Sequence, residues 1–155
     1  MKSKKWLVFV VSFIVVFGIA YIGSMFTSSA VQSSWYQEIK PSLTPPNYVF
    51  PIVWNVLFLL IALSLAFSWI HSKSKKEKRS IMIAFGINLI LNALWSVLYF
   101  GLRQPLWAFF EIILILISII YMIIITRKIY MKSAWMLVPY LIWVSFAAVL
   151  NFLSI

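Results

Sequence analysis

The side chains of this sequence that could bind or react lie within long apolar stretches. Asn88, Asn92 and Trp95 are separated by four and three residues, which places them on one face of a helix. An asparagine in hydrocarbon is costly unless it is paired, so this face is predicted to point towards other helices. Two interpretations stand: the asparagines hold neighbouring helices together, or they contact a ligand. One residue can serve both roles.

A second face of this kind lies near the end of the chain. Trp143, Phe146, Ala147 and Leu150 share it, with Asn151 beside it. Large and small side chains alternate there, and this alternation would shape a slot with aromatic walls. The alternative is ordinary packing, in which the small residues admit a neighbouring helix.

The segment 35–54 combines aromatic residues with four prolines. Because proline lacks a backbone donor and fixes φ, this loop is predicted to be stiff and extended rather than helical. Such an aromatic lid would close a ligand pocket, and the alternative is an interfacial belt with Trp35 and Tyr36 at headgroup level. Trp54, one turn inside the next helix, is predicted to face the pocket.

The sequence contains few side chains that could carry out acid–base or metal chemistry. The 155 residues include three acidic side chains, one histidine and no cysteine, and no metal site is predicted. Glu111 is the only carboxylate within an apolar stretch. It is expected to pair with Arg103 or to hydrogen-bond between helices, and a functional role is the alternative. His71, beside a run of lysines, is expected at a solvated surface, with haem ligation as the alternative.

The elements that must position these residues are membrane helices. The chain is 64% hydrophobic and 10% charged, whereas soluble domains are about 45–50% apolar and about 25% charged. This composition excludes a water-soluble enzyme or a nucleic-acid-binding domain, despite the net charge of +10. A membrane helix needs roughly 20 apolar residues. We therefore predict an all-α integral membrane protein, a single domain over 1–155 that forms a five-transmembrane-helix bundle. The predicted spans are 6–26, 48–70, 80–100, 106–126 and 134–155, with an outer lid loop over 27–47.

Charge placement predicts the orientation of the bundle. With the N-terminus inside, only Lys40 and Arg103 of the 13 basic residues fall outside. The positive-inside rule therefore predicts the N-terminus in and the C-terminus out, with the basic segments in contact with anionic lipids. A cleavable signal peptide would also begin with basic and apolar residues. However, the run 6–26 exceeds the usual apolar region of about 7–15 residues.

Three stretches resemble the translocator protein / tryptophan-rich sensory protein (TspO/MBR) family. They are WYQEIKPSLTPPNYVFPIVWN (35–55), NLILNALWSVLYFGLRQPLWA (88–108) and PYLIWVSFAAVLN (139–151). The resemblance implies a five-helix bundle with an uncleaved first helix, commonly a homodimer. The compact pattern of basic loops fits a bacterial inner or plasma membrane.

The resemblance also implies a class of ligand. Members of this family bind protoporphyrin IX, haem, sterols and synthetic ligands of the isoquinoline-carboxamide and benzodiazepine types, in a pocket beneath the first loop. No cofactor is required, since the porphyrin or haem would be the ligand. By position, the pocket would be lined by Trp54, Asn88, Asn92, Trp95, Trp143, Ala147 and Leu150. Its roof would be Tyr36, Pro45, Pro46 and Phe50. Phe146, on the same face as Trp143, completes the predicted ligand-binding residues.

Three functions follow from this reasoning. The leading one is a membrane receptor for porphyrins, whose propionates would pair with Lys40 or Arg103. The alternative is a light- and oxygen-dependent enzyme that degrades protoporphyrin, with Trp54 and Trp143 as its catalytic residues. A transporter of porphyrin or lipid is the second alternative, but the spans lack inverted repeats and a chain of intramembrane charges. Specific sterol binding is not expected, because the apolar–Tyr–basic stretch of animal members is absent after Asn151.

Overall fold

The computed structural model describes residues 2–155, with the side chains of residues 4–155. Within this range the regular secondary structure is entirely helical, and five of the helices are long and apolar enough to cross a membrane. The predicted fold class, an all-α bundle with five spans, is confirmed. Met1 and the Lys2 side chain, which belong to the predicted domain and its basic start, lie outside the described residues. The helices are α1 (Lys2–Ala30), α2 (Ser34–Ile39), α3 (Val49–His71), α4 (Lys75–Ser96), α5 (Pro105–Ile129) and α6 (Met131–Phe152), and a π-helical segment (Val97–Gly101) continues α4.

The five long helices form a closed ring. Helix α1 packs against α3 and α4, α6 packs against α3 and α5, and α4 packs against α5. The order around the ring is therefore α1, α3, α6, α5, α4. Because successive long helices run in opposite directions, segments 31–48, 102–104 and 153–155 share one end, here called the loop end. The connectors 72–74 and 130 lie at the other end, the basic end.

The outer surface of the ring is apolar. Ile14, Ile90 and Ile142, on three different helices, are each more than 60% exposed, and every long helix carries exposed residues of this kind. Part of the interior is filled by buried side chains such as Phe85 and Ile119. Soluble monomers rarely expose apolar surface this extensively. The outward faces of the helices therefore suit a hydrocarbon environment.

The loop after α1 is shorter and more helical than predicted. Helix α1 continues to Ala30 and α2 follows, so the prediction of an extended segment is wrong for these residues. Ser33 caps α2 by accepting a hydrogen bond of 3.3 Å from the backbone N–H of Tyr36. The helix ends at Ile39, and its C-cap Lys40 has ψ at 130°, because a residue before a proline is disfavoured in the α region. The prolines that argued against a helix all come after it.

A helix cap and a stacked pair of rings lie at the basic end of the bundle. The Ser74 hydroxyl accepts a bond of 3.1 Å from the Glu77 N–H, and the Glu77 carboxylate accepts the Ser74 N–H in return. This reciprocal capping box fixes the start of α4. His71 is exposed at this end, and its ring stacks on Tyr130 with 3.9 Å between centroids. Tyr130 alone connects α5 to α6.

Candidate ligand-binding cavity

A cavity of about 590 Å³ lies inside the ring towards its loop end. All five long helices and the loop 31–48 contribute to its walls. Small-molecule sites usually enclose about 300–1,000 Å³, so the cavity is large enough for a ligand. Eight of the twelve predicted ligand-binding residues line it: Tyr36, Phe50, Trp54, Asn92, Trp95, Trp143, Ala147 and Leu150.

The aromatic side chains of the walls are held by one another. Trp54 stacks on Phe58 at 5.3 Å between centroids and with 28° between planes. Phe50 meets the edge of Trp143 at 5.8 Å. Phe50, Trp54 and Phe58 are four residues apart, so they lie along one face of α3. These contacts give the cavity flat apolar walls on opposite sides, from α3 and from α6.

A buried chain of hydrogen bonds joins three helices at the base of this cavity. Asn92 Nδ2 donates to the Tyr140 hydroxyl over 3.1 Å, and that hydroxyl donates to Asn88 Oδ1 over 3.1 Å. Asn88 Nδ2 then donates to Ser118 Oγ over 2.8 Å. Asn88 is fully buried and absent from the cavity wall, so its visible role is to hold α4 against α5 and α6. Asn92 takes part in the chain and also lines the cavity.

A second set of bonds holds the loop end together. Trp95 Nε1 donates to Asn151 Oδ1 over 2.9 Å, and Asn151 Nδ2 donates to the Pro105 carbonyl over 2.8 Å. The Tyr99 hydroxyl donates to Ser154 Oγ over 2.9 Å. These bonds tie the π-helical segment to the end of α6 and fix the indole of Trp95 in the cavity wall.

Two polar atoms in the cavity-lining residues are left unpaired. Trp143 Nε1 and Thr44 Oγ1 are buried, and neither has a hydrogen-bond partner within residues 4–155. A buried donor without a partner costs about 1–3 kcal/mol. Because neither atom has exposed surface, a molecule in the cavity would pair with the Trp143 N–H only after a movement of the indole.

Helix α2 covers the loop end of α4. Tyr36 is buried against Phe100, at 5.5 Å between ring centroids, and Trp35 meets the edge of Tyr99 at 5.9 Å. Burial, with a smaller contribution from Tyr99, raises the pKa of Tyr36 to about 12. The two aromatic residues predicted to form a lid thus pack on the bundle, and Tyr36 closes part of the cavity.

Four predicted ligand-binding residues do not line the cavity: Pro45, Pro46, Asn88 and Phe146. The two prolines separate Thr44 from Asn47, which both line it. Phe146 packs against Trp143, at 5.6 Å between ring centroids.

Lys40 and Arg103, the residues predicted to pair with ligand propionates, lie at the loop end of the ring. Lys40 and Arg103 are not among the cavity-lining residues. The Arg103 guanidinium lies over Trp35, 5.6 Å from the ring centroid. The predicted hydrogen-bonded pair of Glu111 and Arg103 is not formed, because neither carboxylate oxygen of Glu111 has a partner among the described residues.

The sequence interpretation missed the contribution of α1 to the cavity. A signal was present, because Ser24, Thr27 and Ser28 are small polar residues inside an otherwise apolar span. Ile112 and Ile115 of α5 carried no such signal. The missed lining residues of α1 are Phe17, Ala20, Tyr21, Gly23, Ser24, Thr27 and Ser28.

Comparison with known proteins identifies the family of this chain. The sequence profile of the TspO/MBR family matches residues 10–154, nearly the whole chain. The chain belongs to the TspO/MBR family. It is similar to the Tryptophan-rich protein TspO of Archaeoglobus fulgidus, with 38% identity over 144 residues and 92% of each chain covered. The Tryptophan-rich protein TspO of Chlorobaculum tepidum is 37% identical over 86% of this chain and 85% of its own. The human Translocator protein is 28% identical over 85% of this chain and 79% of its own.

The family and the five apolar helices together identify a multi-pass membrane protein. The resemblance on which the sequence prediction rested is therefore confirmed. The matched region covers most of the length of these relatives from a bacterium, an archaeon and an animal.

Proposed function

We propose that this TspO/MBR protein is a membrane receptor that binds porphyrins, such as protoporphyrin IX and haem-type tetrapyrroles, inside the ring. Isoquinoline-carboxamide and benzodiazepine-type ligands would occupy the same cavity. The proposal rests above all on the cavity of about 590 Å³ between the indoles of Trp54, Trp95 and Trp143.

The chemistry of the walls supports a flat aromatic ligand. Aromatic faces bury much apolar area and prefer offset or edge-on contacts with other rings. After a movement of the indole, the unpaired and buried Trp143 N–H would donate to a ring nitrogen or a carboxylate of the ligand. The propionates would extend towards the loop end, where Lys40 and Arg103 would pair with them after a side-chain movement.

Fluorescence titration in detergent, in the dark, tests the receptor. Protoporphyrin IX is expected to quench tryptophan emission saturably, with one ligand per chain. Trp143→Phe removes a donor worth about 1 kcal/mol, so the Kd is expected to rise about fivefold. Trp54→Phe should weaken binding through lost contact area. Trp135→Phe is the matched control, because Trp135 is 67% exposed on α6 and outside the cavity.

Two results would oppose this proposal. Quenching that never saturates would mean that the porphyrin only partitions into the micelle. Saturable binding that responds equally to Trp135→Phe and Trp143→Phe would place the ligand outside the cavity.

A second candidate function is the light- and oxygen-dependent degradation of bound protoporphyrin. The observation that favours it is that Trp54 and Trp143 both face the cavity, where an excited porphyrin and molecular oxygen would meet an oxidisable indole. Illumination of the dark complex should then yield a new absorbing product. The product should be lost in Trp54→Phe or Trp143→Phe under conditions where the porphyrin still saturates the variant. An absorption spectrum that stays unchanged under light would refute the degradation reaction, and the receptor would be the remaining proposal.

We also propose that the protein lies in the cell membrane with its basic end inside. Because the chain has no cysteine, single cysteines can report each end without background. Gln32→Cys at the loop end should react with an impermeant maleimide on intact cells, and Lys128→Cys at the basic end should not. The opposite labelling pattern would reverse the orientation. The homodimer implied by the resemblance is part of the same proposal, and its test is the mass of the purified protein–detergent complex.

A further inference from the structure

A second feature of the bundle, separate from the cavity, is the carboxyl group of Glu111. Glu111 lies six residues after the start of α5, which is about 9 Å along the helix axis. It is only 5% exposed, and both carboxylate oxygens lack a hydrogen-bond partner in the part of the chain that the structure describes. A buried carboxyl group without a partner is costly. Ionisable residues at membrane depth usually serve a function.

Glu111 belongs to a groove on the outside of the ring, at the seam between α5 and the π-helical segment that continues α4. Trp107 and Phe110 form its rim and are 63% and 57% exposed, whereas Glu111 is buried beneath them. No residue of this groove lines the large cavity, so the two sites are distinct. The groove residues are Leu98, Trp107, Phe110, Glu111, Ile113 and Leu114.

The side chains of the groove determine the chemistry of the ligand that it would bind. Five of the six are apolar or aromatic, so they suit an alkyl chain. A carboxylate requires donors, and a primary ammonium supplies three of them together with the opposite charge. The indole face of Trp107 also attracts cations. Arg103, the nearest cation along the chain, is held over Trp35 and leaves the carboxyl group free.

We propose that this groove binds an amphiphile with a primary ammonium head, whose alkyl chain lies along the seam between α5 and the π-helical segment. Its nitrogen pairs with Glu111 after the carboxyl group turns out from beneath the rim. Entry is lateral, because the exposed rim faces the hydrocarbon side of the bundle. The site does not depend on porphyrin binding.

Photo-crosslinking of the purified full chain in phosphatidylcholine nanodiscs tests this site. The probe is a twelve-carbon primary amine with a diazirine in its alkyl chain, and the matched probe is the alcohol of the same length. The amine is expected to label residues within 98–114 saturably and about tenfold more strongly than the alcohol. Glu111→Gln, which keeps the shape of the side chain, should lower amine labelling to the level of the alcohol.

Matched variants keep the test specific. Glu38→Gln makes the same chemical change at an exposed residue of α2 and should leave labelling unchanged. Leu114→Trp fills the groove without touching the carboxyl group, and it should also lower labelling. The dark protoporphyrin titration on Glu111→Gln should match that of the unmodified chain, which shows that the variant is folded.

Each outcome of the labelling experiment either overturns or supports the groove as a binding site. Equal labelling by amine and alcohol, or full amine labelling of Glu111→Gln, would overturn the proposal. Labelling outside 98–114 would do the same. Loss of protoporphyrin binding in the unmodified chain with intact amine labelling would refute the receptor and support the groove.

Discussion

Replacing Tyr140 with phenylalanine tests the buried chain of hydrogen bonds between α4, α5 and α6. Tyr140 is fully buried, and its hydroxyl both accepts from Asn92 and donates to Asn88, each over 3.1 Å. Phenylalanine keeps the ring and its packing, so the change removes two hydrogen bonds and leaves no large void.

The expected cost follows from these two bonds. Hydrogen bonds between membrane helices average about 0.6 kcal/mol and reach about 1.7 kcal/mol. Tyr140→Phe should therefore lower the free energy of unfolding by about 1.2 kcal/mol, with a ceiling of about 3.4 kcal/mol. Tyr121→Phe is the control, because Tyr121 is 51% exposed on the outer face of α5. It should change the free energy of unfolding by less than about 0.5 kcal/mol.

The assay is unfolding in mixed micelles of increasing denaturing detergent, followed by helical circular dichroism. A cycle that combines Tyr140→Phe with Asn92→Ala should give a coupling energy of about 0.6 kcal/mol. If Tyr140→Phe costs no more than Tyr121→Phe, the hydrogen-bond chain contributes nothing to stability. If Tyr140→Phe costs more than about 4 kcal/mol, the packing of the aromatic side chain at position 140 has changed, and the loss of two hydrogen bonds does not explain the effect.

Three further predictions follow from the same contacts. Asn88→Ala should lower the free energy of unfolding by about 1 kcal/mol with an unchanged protoporphyrin Kd, whereas Asn92→Ala should change both, as titration and unfolding of the same samples would show. Ser74→Ala should lower the free energy of unfolding by about 1 kcal/mol through the lost cap, and an effect of Ser72→Ala of equal size would argue against the capping box. Absorbance at 295 nm should show one tyrosine that ionises near pH 12, absent from Tyr36→Phe. Since the folded pKa exceeds the ordinary value of 10.0, the stability from Tyr36 is complete below pH 10 and is lost as the pH rises through 12.

The spans could be predicted because length and hydropathy alone decide whether a segment crosses a membrane. Helix α2 could not be predicted as easily, because Pro41 and its neighbours dominated the interpretation of the loop. The helix needs only six residues and the Ser33 cap. The π-helical segment Val97–Gly101 carries no signal, because its apolar residues suit an α-helix equally well.

The cavity walls were predictable where large aromatic residues repeat every four positions, as they do from Phe50 to Phe58. How far the cavity extends along the helix axes was not predictable. Asn88 and Asn92 share a face, but they differ by about 6 Å along the helix axis. The cavity ends between these two levels, so Asn92 lines it and Asn88 does not.

The order of the helices around the ring differs from their order in the chain. Helices α1, α3 and α4 can meet as soon as the first hundred residues are made, whereas the gap between α3 and α5 is filled by α6, which is synthesised after all of them. Trp143 and Ala147 on that helix complete the cavity wall. A ribosome-bound chain that lacks α6 therefore presents the aromatic face of α3 to lipid, and the protein can enclose a ligand only after α6 has been made.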